Sequence, residues 1–391
     1  MVRTGAGLLL VTVATLAGLE IALALMPPVE RALVAECGSV GFDTPLNHAP
    51  SVGRMLQRFR DGPTFGALAG TEYEEVYDEH GVKHSALRPQ NGDGTRVLFM
   101  GDSFIEGYDD ARTIPQHAYE WIVEHESPKR PVIVLNAGYS SYSPTIFTVQ
   151  AKRLCPVLHP DFVVIDIDET DLFDDAVRYR PFVKRDDEGR IVAVGRNEVR
   201  VALAEGCAAV AGYPLRLLRL GGAAYYRTRL ALLDERERRA ERLFAVADSP
   251  DPESDPELRE QMQYFAATLD ELFGTLKACL PARRILVVRH PHLFHLSHDG
   301  KGPSWNRAVG GLVAAAAARS GVRFFDAQDE LSTRFGAHAE RYYWSGDMHF
   351  NFDGMQAYGE LVGREVWRMM AEAGEGRGTE AKEQKPREGD A

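Results

Sequence analysis

Two short blocks of this sequence carry residue types that could do chemistry together. The first is Gly101-Asp102-Ser103-Phe104, directly after the apolar run Val97-Leu98-Phe99-Met100. A serine hydroxyl is a weak nucleophile until a neighbouring base takes its proton. The second block supplies a histidine: Gly346-Asp347-Met348-His349-Phe350-Asn351-Phe352-Asp353-Gly354. Asp347 stands two residues before His349, close enough to hold the imidazole in one tautomer and to stabilise an imidazolium. Ser103 as nucleophile, His349 as base and Asp347 as orienting acid would make an acyl-transfer triad. Each block alone has a plainer explanation: Ser103 as a helix N-cap, His349 as a loop histidine.

The elements that must position these blocks are legible in the hydrophobic pattern. Arg96-Val97-Leu98-Phe99-Met100, Val132-Ile133-Val134-Leu135, Phe162-Val163-Val164-Ile165, Ile285-Leu286-Val287-Val288 and Val322-Arg323-Phe324-Phe325 are apolar runs bounded by breakers. Such runs suit parallel strands covered on both faces. Helix-like stretches lie between them, at 116–124, 145–157, 256–279 and 306–318. The alternation predicts an α/β fold, a three-layer doubly wound parallel sheet. Ser103 would then sit past the C-terminal end of the first strand, where ligands bind in open α/β sheets. Asp186-Asp187-Glu188-Gly189 marks a turn, predicting a hairpin inside an insertion of about 178–250. The Arg-rich stretch 213–246 is expected to cap the site. Its segment from Arg236 to Arg242 alternates with Glu, as a solvated helix face does.

The N-terminus predicts a different environment. Arg3 precedes residues 7–26, an apolar run whose only charge is Glu20, and Pro27-Pro28 ends it. About twenty apolar residues can cross the hydrocarbon core as a helix. Positive charge before the run, with Glu30 and Glu36 after it, orients the body outwards. Residues 1–26 are therefore expected to be a signal-anchor and transmembrane helix, with cleavage at Ala22-Leu23-Ala24 as the competing reading. Residues 27–94 follow as a juxtamembrane segment in which Glu72-Tyr73-Glu74-Glu75-Val76-Tyr77 could add an edge strand. The catalytic domain is expected over 95–371 and a disordered tail over 372–391.

The bulk properties exclude some partners. A net charge of −12 over 391 residues argues against nucleic acid, whose phosphates need a basic surface. Cys37, Cys155, Cys207 and Cys279 lie too far apart for zinc spacing. They allow one or two disulfides of unread pairing if the chain is exported.

In this order, over about 96–367, the blocks resemble the SGNH (GDSL-like) hydrolase family in its membrane-anchored type. Gly101-Asp102-Ser103-Phe104 is similar to the family's first block, with Ser103 as nucleophile. Asn136-Ala137-Gly138 is similar to the second, whose glycine N–H joins that of the nucleophile in the oxyanion hole. Asp347 and His349 match the closing block, though Asp-x-His is shorter than the commoner Asp-x-x-His. In place of the third block's Gly-x-Asn-Asp stands Asp168-Glu169-Thr170-Asp171, so Thr170 replaces an asparagine donor. Threonine has one hydroxyl donor and a shorter reach, and a lost oxyanion donor can cost about 10²–10³ in rate. The resemblance implies a serine esterase or O-acyltransferase acting outside the cytoplasm on an acylated glycan or lipid. It implies no metal or organic cofactor.

Two rival readings come from other classes. Val163-Val164-Ile165-Asp166-Ile167-Asp168-Glu169-Thr170 resembles the Asp-x-Asp-x-Thr strand of haloacid-dehalogenase-type phosphatases. There Asp166 would be a nucleophile, Asp168 an acid/base, and Mg²⁺ a bridge to phosphate. The chain could also be a catalytically inactive binding module on the same fold, a reading that Thr170 encourages. Separately, Arg289-His290-Pro291-His292, with His295 and His298, is dense enough in histidine to hold a metal, although no Cys or carboxylate spacing accompanies it.

Overall fold

The computed structural model describes residues 2–24, 53–84, 94–195, 198–245, 255–296 and 304–375. His298 and most of the expected tail lie outside them. The chain divides into two compact units, Met1–Leu46 with Gly195–Arg242, and Asn47–Val194 with Leu243–Ala391.

The larger unit is built on an eight-stranded sheet in the order β1-β2-β3-β5-β4-β6-β9-β10. Its strands are β1 (Gly53–Arg58), β2 (Glu72–Tyr77), β3 (Lys83–His84), β4 (Thr95–Met100), β5 (Val132–Asn136), β6 (Phe162–Asp166), β9 (Ile285–Arg289) and β10 (Arg323–Asp326). β7 (Val183–Arg185) and β8 (Ile191–Val194) pair separately as an antiparallel hairpin across the turn at Gly189. The five strands read from apolar runs form the parallel part, and β5, β6 and β9 are buried at every residue. Their order in space, second-first-third-fourth-fifth, is a doubly wound arrangement whose switch point lies between β4 and β6. β1 to β3 extend the β5 edge in antiparallel pairing. Part of the segment expected to be a juxtamembrane approach is therefore sheet of the α/β unit.

Helices in two groups cover the sheet. Ile114–His125 packs with Phe352–Glu372, where a Cβ on Gly359 would lie 2.6 Å from His117 Cβ and one on Gly363 2.7 Å from the Ala118 carbonyl. Only glycine lets these backbones approach so closely. Pro144–Leu158 packs with Pro256–Cys279, which also meets Ser304–Ser320. A disulfide joins Cys155 to Cys279 across that pair, 124 residues apart.

In the smaller unit, Val2–Ala24 is helical, and Glu198–Ala209 and Arg216–Ala245 form two further helices. Glu20 accepts from the backbone N–H groups of Arg216 (2.7 Å) and Leu217 (3.0 Å). The one charge in the apolar run thus satisfies N–H groups that a helix start leaves without partners. Val13, Leu16, Leu19 and Ile21 are exposed. No helix among the described residues is long and apolar enough to cross a membrane.

Candidate active site

β4 ends at Met100, and after Gly101 the chain turns into a four-residue helix, Ser103–Glu106, capped by Asp102 Oδ1 on the Phe104 N–H at 2.9 Å. A side chain at 101 would meet Ile105 Cγ1 at 2.3 Å, so glycine is required for this turn. Ser103 Oγ lies 2.7 Å from His349 Nε2. His349 Nδ1 lies 2.5 Å from Asp347 Oδ1, which also accepts the His349 backbone N–H at 3.0 Å. The short Asp-x-His spacing works because residues 344–349 form a closed loop. Trp344 N–H donates to the His349 carbonyl, and Asp347 N–H donates to that of Trp344. Burial raises the Asp347 carboxyl, but the two bonds from His349 outweigh it and hold the group below the usual carboxylate range. Asn351 then caps the final helix through the Gly354 N–H. The three expected triad residues are brought into one hydrogen-bonded line, with His349 and Asp347 side chains 22% and 24% exposed and within reach of a substrate.

The expected oxyanion donors fare differently. Gly138 N–H donates to Asn136 Oδ1 at 2.9 Å. Thr170 directs both its backbone N–H and its hydroxyl to Asp168 Oδ1, each at 2.7 Å. Without a bound substrate, the Gly138 N–H and both Thr170 donors are thus engaged by acceptors inside the protein. Of the three, Ser103 N–H alone stands at a helix start with no such tie.

Sequence reasoning missed the groups that fasten the nucleophile's helix. Asn136 Nδ2 donates to the Ile105 carbonyl at 2.8 Å. Lys83, 1% exposed, reaches the carbonyls of Glu106, Gly107 and Tyr108 at 3.0–3.4 Å and Glu75 Oε1 at 2.8 Å. Glu106 is pushed up to about 7 by burial, against the pull of Lys83, and bonds Tyr77 Oη and Ser140 N–H. Nothing in the pattern around Lys83 distinguishes it from a surface lysine.

Behind the triad, the two rival motifs meet. His290 Nδ1 lies 3.1 Å from both Asp166 oxygens, and His292 Nε2 lies 2.7 Å from Asp168 Oδ2. His292 Nδ1 and His295 Nε2 each face Glu169 Oε1 at 3.2 Å. The Phe104 ring bridges the two regions, with its centroid 3.9 Å from that of His290 and 4.9 Å from that of His349. Asp166, 3% exposed and bonded by Tyr358 Oη, is too enclosed to attack a phosphate ester. The phosphatase reading fails on that burial.

No family model and no curated protein matches the chain. Solved structures similar to it include a two-domain esterase active on acetylated mannans, at 13% identity and TM-score 0.40, covering 72% of this chain and 50% of that one. Others are the lipase/acylhydrolase from Enterococcus faecalis (13%, TM-score 0.37, 69% of this chain and 94% of that one) and an acetylxylan esterase from Geobacillus stearothermophilus (14%, TM-score 0.40, 72% and 96%). The chain thus spans half the length of the mannan esterase. Likeness at this level carries no argument about activity.

Proposed function

We propose that this chain is an SGNH-type serine esterase or O-acyltransferase. The observation that carries the reading is the continuous line Ser103 Oγ, His349 Nε2, His349 Nδ1, Asp347 Oδ1. Ser103 attacks an acyl carbonyl while His349 Nε2 takes its proton. Asp347 keeps the proton on Nδ1 and stabilises the imidazolium. The Ser103 N–H faces the developing oxyanion, worth about 3 kcal/mol for one well-placed donor. His349 then returns the proton to the leaving oxygen, and water or a sugar hydroxyl resolves the acyl-enzyme. The substrate class that fits this chemistry and the family resemblance is an O-acylated, for example acetylated, glycan or lipid.

We place this activity outside the cytoplasm. A disulfide between Cys155 and Cys279 suits an oxidising compartment. Exposed Val13, Leu16, Leu19 and Ile21 on the first helix give an apolar surface for membrane attachment.

An inactive module on this fold is the second reading, favoured by one observation: two of three oxyanion donors are committed elsewhere. Turnover of p-nitrophenyl acetate separates the two. An esterase turns over and loses turnover in Ser103→Ala, whereas wild type and variant equally inert would leave the module.

A further inference from the structure

We propose that Asp168, His290 and His292 form a buried divalent-metal site, fitted to zinc, behind the catalytic loop. One ligand atom from each lies within 4.8 Å of the others. Asp168 follows β6 and the histidines follow β9, and these strands are hydrogen-bonded neighbours. The donors therefore project from the rigid end of the sheet. His292 Nε2 stands 2.7 Å and His290 Nε2 3.4 Å from Asp168 Oδ2. A tetrahedral zinc ion with bonds of about 2.0–2.2 Å separates its ligand atoms by roughly 3.3–3.6 Å. The His290 contact already has that spacing, and the His292 contact needs to open by about 0.6–0.9 Å.

The surrounding groups have the form of a metal site's outer shell. Metal-bound histidines characteristically give their second ring nitrogen to a carboxylate, which fixes the tautomer and aims the lone pair. Here His290 Nδ1 faces Asp166 and His292 Nδ1 faces Glu169. Both Nε2 atoms are thereby directed at Asp168. His290 Nε2 is buried with no hydrogen-bond partner, in a residue 1% exposed. Buried polar atoms of this kind require an explanation, and a cation between the two rings supplies it. Three carboxylates crowd the site: Asp166, Asp168 and Glu169 are each at most 3% exposed, and Arg289 stands 3.9 Å from Glu169 and 2.8 Å from Asp326. Two imidazoles and one carboxylate suit zinc, whereas magnesium and calcium favour all-oxygen shells. Phe104, next to Ser103 in the chain and with its ring tilted against that of His290 at 3.9 Å between centroids, couples occupancy to the nucleophile's helix, so the ion would support the triad without touching substrate.

The test is metal content and spectroscopy, independent of turnover. The full untagged chain, expressed in zinc-supplemented medium and desalted, is analysed by inductively coupled plasma mass spectrometry. After chelation it is titrated with Co²⁺. The site predicts close to one equivalent of zinc and intense visible bands of low-coordinate Co²⁺ that saturate at one equivalent. Asp168→Asn and His290→Gln should lose the metal, whereas His349→Gln, in the triad, should keep it. Wild-type protein that takes up neither ion would overturn the site. So would metal retained by both Asp168→Asn and His290→Gln. If those variants misfold, the wild-type Co²⁺ spectrum decides alone, since weak octahedral bands would also refute it.

Discussion

Gly138→Ala tests whether the nucleophile is held by close packing from behind. A Cβ at 138 would lie 2.5 Å from the Glu106 backbone nitrogen and 2.7 Å from Ile105 Cγ2, where ordinary contact begins near 3.4 Å. The backbone at 105–106 must therefore retreat by about 0.9 Å. Ser103 begins the same four-residue helix and moves with it. Adding that shift to the 2.7 Å bond from Ser103 Oγ to His349 takes it beyond hydrogen-bond range. A misplacement of about 1 Å costs on the order of 10²-fold in rate, or about 2.7 kcal/mol of barrier. Overpacking should also cost about 1–3 kcal/mol of stability. Alanine keeps the backbone N–H, so the loss cannot come from a missing donor. Steady-state kinetics on p-nitrophenyl acetate, beside urea unfolding, reads both effects. A folded variant with unchanged kcat would refute the idea that this contact sets the position of Ser103.

Three further predictions use the same assays. Asp347→Asn should lower kcat by about 10³–10⁴-fold with little change in unfolding midpoint, because the amide selects the wrong tautomer of His349; a loss of tenfold or less would remove Asp347 from the triad. Lys83→Met leaves Glu75 buried without its cation and should cost about 3–5 kcal/mol in denaturant unfolding, and an unchanged midpoint would show that Lys83 fastens nothing. Burial pushes Asp175 up to about 7, so between about pH 4 and 7 the native state binds a proton that the unfolded chain has released. Its stability contribution is then full below about pH 4 and falls with rising pH by up to about 1.4 kcal/mol per unit. In Asp175→Asn that slope should disappear, and parallel stability curves for variant and wild type would count against it.

The parallel sheet was legible because its strands are buried on both faces and so read as unbroken apolar runs. β4, β5, β6 and β9 fall on such runs. The antiparallel edge was only partly legible. β3 is two residues long, too short for any period, and β1, Gly-Arg-Met-Leu-Gln-Arg, mixes polar and apolar residues without strict alternation. In the site, Ser103, His349 and Asp347 could be named because their residue types have few other joint uses. Which oxyanion donors are committed was invisible, since it depends on Asn136 and Asp168 competing for the same N–H and O–H groups. The histidine cluster appeared to lack carboxylate partners because its acids come from a strand 124 residues earlier. Spacing along the chain carries no signal of that pairing.

The most direct test of the account is to trap the acyl-enzyme. Acid-quenched protein, taken within the first turnovers on p-nitrophenyl acetate, is digested and mapped by mass spectrometry. The account predicts one acetyl group on the peptide containing Ser103, absent from Ser103→Ala. Acetyl transfer to another residue, or turnover unchanged in Ser103→Ala, would contradict it.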